Sequence, residues 1–395
     1  MPIYHTLGGI PRKRHTVFRR PDGGLYAEEL MGHEGFVGTS SLLYHTHPPT
    51  TVVRARRVRD VVWEADDATS LRHRHFLTAK APKGGSATLD RLPILFNADI
   101  GMLYVEPAKA DNHFYRNSQA DEVVYVVEGS GTLESVFGDL PYKSGDYVVI
   151  HRNITHRWRL GSGPTKLLVF ESGGHVSWPR RYRNEFGQLL EGAPYSERDI
   201  HRPAALNARD ERGEFSVLVK QYNAINELVL DHHPFDVVGW DGYYYPWAFS
   251  IHDFEPIVGR IHQPPPVHQT FQGDGFVICS FCPRPYDFDP NAIPAPYNHS
   301  NVDSDEVLFY ASSEFMSRKG IEYGSITHHP DGLPHGPHPG RAEASIGATH
   351  TNELAVMMDT FRPLHVAKPA MVFEDPKYHK SWVEGQNDAF SPPTS

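Results

Sequence analysis

The sequence predicts a mostly β protein in which one barrel unit is used twice. Three observations carry this. Short apolar, β-branched runs recur: VVYVVE at 123–128, DYVVIH at 146–151, KLLVFES at 166–172, FVICSF at 276–281 and EVLFYAS at 306–312. Glycine and proline each number 33 in 395 residues, which suits many short strands joined by turns. The third is an internal repeat. Asn117-Ser-Gln-Ala-Asp121-Glu122-Val-Val-Tyr matches Asn301-Val-Asp-Ser-Asp305-Glu306-Val-Leu-Phe. Gly145 then precedes His156, and Gly324 precedes His335, by the same interval of 11 positions.

Each repeat resembles a cupin. A Glu follows the first polar ligand position, Gly129 follows Glu122 with six residues between, and a Gly-Asp turn at 145–146 leads to a closing His at 156. The fold expected is a bicupin, two double-stranded β-helix (jelly-roll) barrels with short helices and a connector. Residues 1–90 read as a β-rich extension, 90–175 as the N-terminal cupin, 175–235 as the connector, 235–370 as the C-terminal cupin and 371–395 as a tail, mobile from about Gly385.

Composition narrows the function classes. The formal charge of −10 favours neither nucleic acid nor an anionic membrane. No apolar run of about 18 residues exists, and MPIYHTLGGIPRKRH lacks the apolar stretch of a secretory signal. Cys279 and Cys282 have no second pair to complete a zinc site, so they read as small apolar residues of a buried strand. So few cysteines suit the cytoplasm.

Aligning the repeats separates them chemically. The second reads His299-x-Asn301-x4-Glu306 and then His335. The first reads Tyr115-x-Asn117-x4-Glu122 and then His156. Two imidazoles and a carboxylate with open positions form the facial set of non-haem Fe(II) oxygenases. A phenol with a pKa of about 10 is a poor ligand at neutral pH. The metal is therefore expected on His299, Glu306 and His335, and none in the first unit. Asp305 and Glu306 are adjacent on a strand and must point to opposite faces, with Asp305 on the outside.

Five stretches, in order, resemble the homogentisate 1,2-dioxygenase family: Leu25-Tyr-Ala-Glu-Glu-Leu30, Asp236-Val-Val-Gly-Trp240 with Tyr245-Pro246, Pro296-Tyr-Asn-His299-Ser-Asn301, Pro334-His335-Gly-Pro337 and Tyr378-His-Lys-Ser-Trp382. The resemblance covers about residues 25 to 385. It implies Fe(II) on the same three residues, a small aromatic substrate and O2, and ring opening to maleylacetoacetate in tyrosine and phenylalanine breakdown. It also implies a homo-oligomer, trimer or hexamer. The His299 to Glu306 spacing is one residue longer than in the animal enzymes, and Ser312 stands near the family's substrate-contacting Arg.

The family's catalytic His has a His-x-x-Pro context, which His262 fits. His268, on a strand-like stretch, is the competitor. Asn301 is a candidate for the substrate carboxylate. His328 and His329 are candidates for substrate binding; one resembles the family's His that sits behind the metal ligands and orients ligands and substrate, and His338 reads as a solvated loop residue. A dioxygenase acting on gentisate or another hydroquinone-type arene is one rival, although gentisate enzymes generally use three His. A non-catalytic metal-binding bicupin is the other.

Overall fold

The computed structural model describes residues 3–66, 70–313 and 315–383. The tail expected to be mobile from Gly385 lies outside them. The chain forms two compact units with interleaved segments. Unit one comprises Met1–Val62, Lys83–Arg91 and Leu103–Ser250; unit two comprises Trp63–Pro82, Leu92–Met102 and Ile251–Ser395. Strands dominate both, as the apolar runs predicted, and the fold is a β-rich bicupin. The one α-helix among the described residues is Arg341–Ser345.

In unit one, the strand Asp121–Glu128 lies between Asp146–Ile150 and Lys166–Ser172, antiparallel to both. A second sheet runs Gly138–Lys143, Ser130–Ser135, His156–Leu160, Phe114–Asn117, Arg212–Gln221, Ala224–His232 and Arg54–Asp60. Both sheets carry fully buried rings, among them Tyr125, Tyr147 and Trp158. In unit two, a six-stranded antiparallel sheet runs Gln269–Gly273, Phe276–Phe281, Ala355–Thr360, Asp305–Tyr310, Ser325–His329 and Arg74–Leu77. Cys279 and Cys282 are buried and free.

The repeat recurs in the backbone. Glu122 stands opposite Ile150, and Glu306 stands opposite His329 in the same register. Gly145 and Gly324 both have positive φ, +91° and +82°, which only glycine adopts without cost. Their N–H groups donate to Val126 O and Tyr310 O, each at 2.8 Å. The shared 11-residue interval is thus a tight turn followed by a strand that delivers a histidine.

The aspartates before the two glutamates form latches. Asp121 accepts from Arg152 N (2.9 Å), Val176 N (3.0 Å) and His151 Nδ1 (2.8 Å). Asp305 accepts from Asp331 N (2.9 Å), Leu364 N (2.8 Å) and His328 Nε2 (2.8 Å). Asp305 does point away from Glu306, but it is 1% exposed, not on an outer surface. A carboxylate collects backbone donors from two loops and closes them over the strand.

Unit one also holds a pH-sensitive contact. Burial opposes a charge on His45, but its bonds to Asp236 (2.7 Å) and Glu29 (3.0 Å) outweigh that and raise its pKa from 6.5 to about 9. The folded state binds this proton more tightly, so the stabilisation is complete below pH 6.5 and is lost as the pH rises through 9. Thermal unfolding followed by circular dichroism should show Tm falling across that window. His45→Gln should flatten that part of the profile; an unchanged slope would exclude His45 as its source.

Candidate metal centre

His299, Glu306 and His335 offer ligand atoms that all lie within 4.8 Å of one another. The two histidines form an isolated backbone bridge: His299 N donates to His335 O at 2.8 Å, and His335 N to His299 O at 2.9 Å. This places the two rings 4.2 Å apart. Glu306 comes from the strand between Ser325–His329 and Ala355–Thr360. Its Oε2 is 3.5 Å from His299 Nε2, and its Oε1 is 3.2 Å from His335 Nε2.

The donor set fits a divalent cation. His299 Nδ1 bonds to Tyr297 O at 3.2 Å, which leaves the Nε2 lone pair toward Glu306. Both ring nitrogens of His335 are buried; Nδ1 has no hydrogen-bond partner, and Nε2 has only the poorly aligned Glu306 contact at 3.2 Å, a place a bound cation would fill. Burial opposes ionisation of Glu306, yet its contacts with His299, His329 and His335 outweigh this and hold its pKa well below the usual range. The Glu306 contact also raises the pKa of His299.

The residues behind the ligands are less evident in the sequence. His329 Nδ1 donates to Glu306 Oε1 at 2.8 Å, and the ring stacks 4.5 Å from His335. It therefore orients a ligand and is absent from the lining of the adjoining cavity. His328, one residue earlier, points to the opposite face and bonds to Asp305, so it does not reach the site. Asn301 is half-buried and also absent from that lining. His338 is buried, not solvated: its Nδ1 accepts from Lys319 N at 2.8 Å, and Nε2 meets Ser381 Oγ at 2.9 Å. Burial first, then the charges of Arg318, Arg341 and Lys319, push its pKa down to about 3.

Trp382, from the Tyr378–Trp382 stretch, donates to Gly336 O at 3.1 Å, and Tyr378 OH is 3.4 Å from His329 Nε2. His73 packs 4.8 Å from Trp382 and 6.0 Å from His335. Asp359 stands opposite Glu306 in the neighbouring strand; burial and the Glu306 charge raise its pKa to about 8.

A cavity of about 130 Å³ opens on the centre. Leu308, Phe281, Phe315 and Met357 supply apolar walls; His262, His268 and Arg318 supply polar ones. His268 is stacked on Phe281 with centroids 4.5 Å apart, and burial lowers its pKa to about 3. His262 is more open, with Nδ1 3.6 Å from Asp287 Oδ2.

The corresponding place in unit one is built differently. Glu122 is wholly buried, with Oε1 2.8 Å from Arg91 Nη1 and Oε2 2.9 Å from Arg91 Nη2. Arg91 offsets the cost of burial and lowers the Glu122 pKa to about 2. The carboxylate already has a cation, supplied by the chain.

The family model for the N-terminal region of homogentisate 1,2-dioxygenase matches residues 96–251. A protein of Saccharolobus solfataricus named "Putative dioxygenase SSO1533" is 42% identical over 97% of this chain and 99% of its own. The homogentisate 1,2-dioxygenase of Bradyrhizobium diazoefficiens is 26% identical over 73% of this chain and 66% of its own; that of Nitrobacter hamburgensis is 29% identical over 66% and 60%. Among solved structures, a cupin 2 conserved barrel domain protein from Leptotrichia buccalis aligns with a TM-score of 0.35 at 11% identity, over 76% of this chain and 99% of that one. Matched from end to end by one relative and over residues 96–251 by the family model, the chain belongs to the homogentisate dioxygenase family.

Proposed function

We propose that this protein is an Fe(II)-dependent dioxygenase that opens the ring of homogentisate, with both oxygen atoms of O2 entering the product, maleylacetoacetate. The observation that carries this is the bridged pair His299 and His335 facing Glu306, at the end of a cavity with apolar walls and one buried cation. Bound there, Fe(II) would offer open positions to arene and dioxygen and pass electron density between them. Phe281, Leu308 and Phe315 suit an aromatic ring, and Arg318 suits its anionic arm. The sequence showed no arginine for that role, because Arg318 lies six residues beyond Ser312.

His262 is the better base. Its Nδ1 lies 3.6 Å from Asp287 Oδ2, so with the ring proton on that side Nε2 would accept the phenolic proton. His268 is held neutral and flat against Phe281, where it acts as a wall.

Anaerobic reconstitution with Fe(II), followed by oxygen uptake on homogentisate, gentisate and hydroquinone, tests the reading. Homogentisate should be the fastest of the three. Preference for gentisate would move the assignment to that class, and no turnover of any would favour a non-catalytic metal-binding bicupin. His262→Gln should lower kcat by about 10²–10⁴-fold, the usual worth of a general base. A larger loss with His268→Gln would exchange the two roles.

A further inference from the structure

Unit two contains a second hollow, of about 600 Å³, against about 130 Å³ for the metal cavity. The two share His262 and Pro296. Tyr297 lines the hollow beside them, its ring edge-on to His262 at 5.3 Å and to His299 at 6.4 Å. The hollow therefore adjoins the metal cavity on the side of His262. Ile261, Ile293 and Tyr297 are each more than half exposed, and all three gather on this wall. Large apolar side chains left open together mark a binding surface. Pro296, Pro337 and Pro339 restrict the backbone around them, so the hollow is preformed.

Charge divides the two spaces. The metal cavity contains Arg318. Among the described residues, the hollow is lined by two acids, Asp287 and Glu343, and by no lysine or arginine. His338, also on its wall, is held neutral by burial and by nearby cations. A carboxylate is repelled there, whereas an uncharged apolar group gains by leaving water. Resting on the ring-opening function proposed above, we infer that the substrate class is wider than homogentisate. It takes in dihydroxyphenylacetates with an apolar ring substituent, whose acidic arm meets Arg318 while the substituent lies past His262 and Tyr297 in the hollow. Homogentisate itself leaves the hollow empty.

Anaerobic calorimetric titration of the iron-loaded protein tests this, with homogentisate and its methyl, ethyl and propyl derivatives at each free ring position. For the position that faces the hollow, Kd should fall along the series by up to about fourfold per carbon buried. The propyl derivative should bind about tenfold or more tighter than homogentisate. A carboxyethyl derivative, similar in size but charged, should gain nothing. Ile293→Asp, at an exposed position, should cancel the alkyl gain and leave homogentisate binding at the parent value. Three results would overturn the subsite and leave the ring-opening function standing: homogentisate bound but no alkyl derivative bound more tightly, an equal gain from the carboxyethyl arm, or an alkyl gain kept in full by Ile293→Asp. No binding of homogentisate or of any derivative would remove both readings.

Discussion

Replacing Glu306 with glutamine is expected to strip the metal from the folded protein and to abolish turnover. The amide is nearly isosteric but neutral, so the centre loses its charged oxygen donor. It also presents an NH2 group to three histidines that now meet a carboxylate within 2.8–3.5 Å. Loss of a residue that merely supports a ligand costs about 10–100-fold in metal affinity, and loss of the ligand should exceed that. The contrasting substitution is Asp305→Asn. It replaces one of the two oxygens that accept from His328, Asp331 N and Leu364 N with an NH2 donor, so it should lower stability by about 1–3 kcal/mol. Metal per folded chain should stay near the parent value. Metal analysis of both refolded variants decides the matter: a loaded Glu306→Gln beside an empty Asp305→Asn would reverse the strand's register.

The other large effect lies in unit one. Arg91→Met should destabilise the protein by about 3–5 kcal/mol, the usual cost of removing one partner from a buried ion pair. Glu122 would lose its bidentate partner, and Glu171 would keep only Lys220. The metal centre should be untouched. Adding Glu122→Gln to Arg91→Met should restore much of the loss, because the stranded charge goes with it. Urea unfolding of the two single variants and the double measures this coupling. Simple additivity of the two losses would show that the pair does not hold the core.

The three residues that the structure brings together as a candidate metal centre were legible because two of them sit in a repeat. Comparing Tyr115, Glu122 and His156 with His299, Glu306 and His335 exposes which copy has the ligand chemistry, without any other sequence. The strand runs were legible for a similar reason: 166–172 and 276–281 match observed strands end to end. What escaped was set by distance along the chain or by strand phase. Arg91 and His73 lie far upstream of the groups they meet, and no local pattern marks them. His328 and His329 are identical letters, and only the register against Glu306 separates the one that supports the ligand from the one that closes a loop. His338 looked solvated because its neighbours are Gly and Pro; burial comes from Trp382 and Ser381, which pack on it from the far end of the chain.

The reciprocal hydrogen bonds between His299 and His335 have a thermodynamic consequence. A chelator made of flexible arms loses conformational entropy when it closes on an ion, and that loss subtracts from its affinity. Here the arms are joined before the ion arrives, since folding itself closes the loop between the two histidines. If these residues hold the proposed ion, binding would leave mainly side-chain torsions to restrict. Such a centre would resemble a macrocycle beside an open-chain chelator, favouring ions whose radius suits a largely preset aperture.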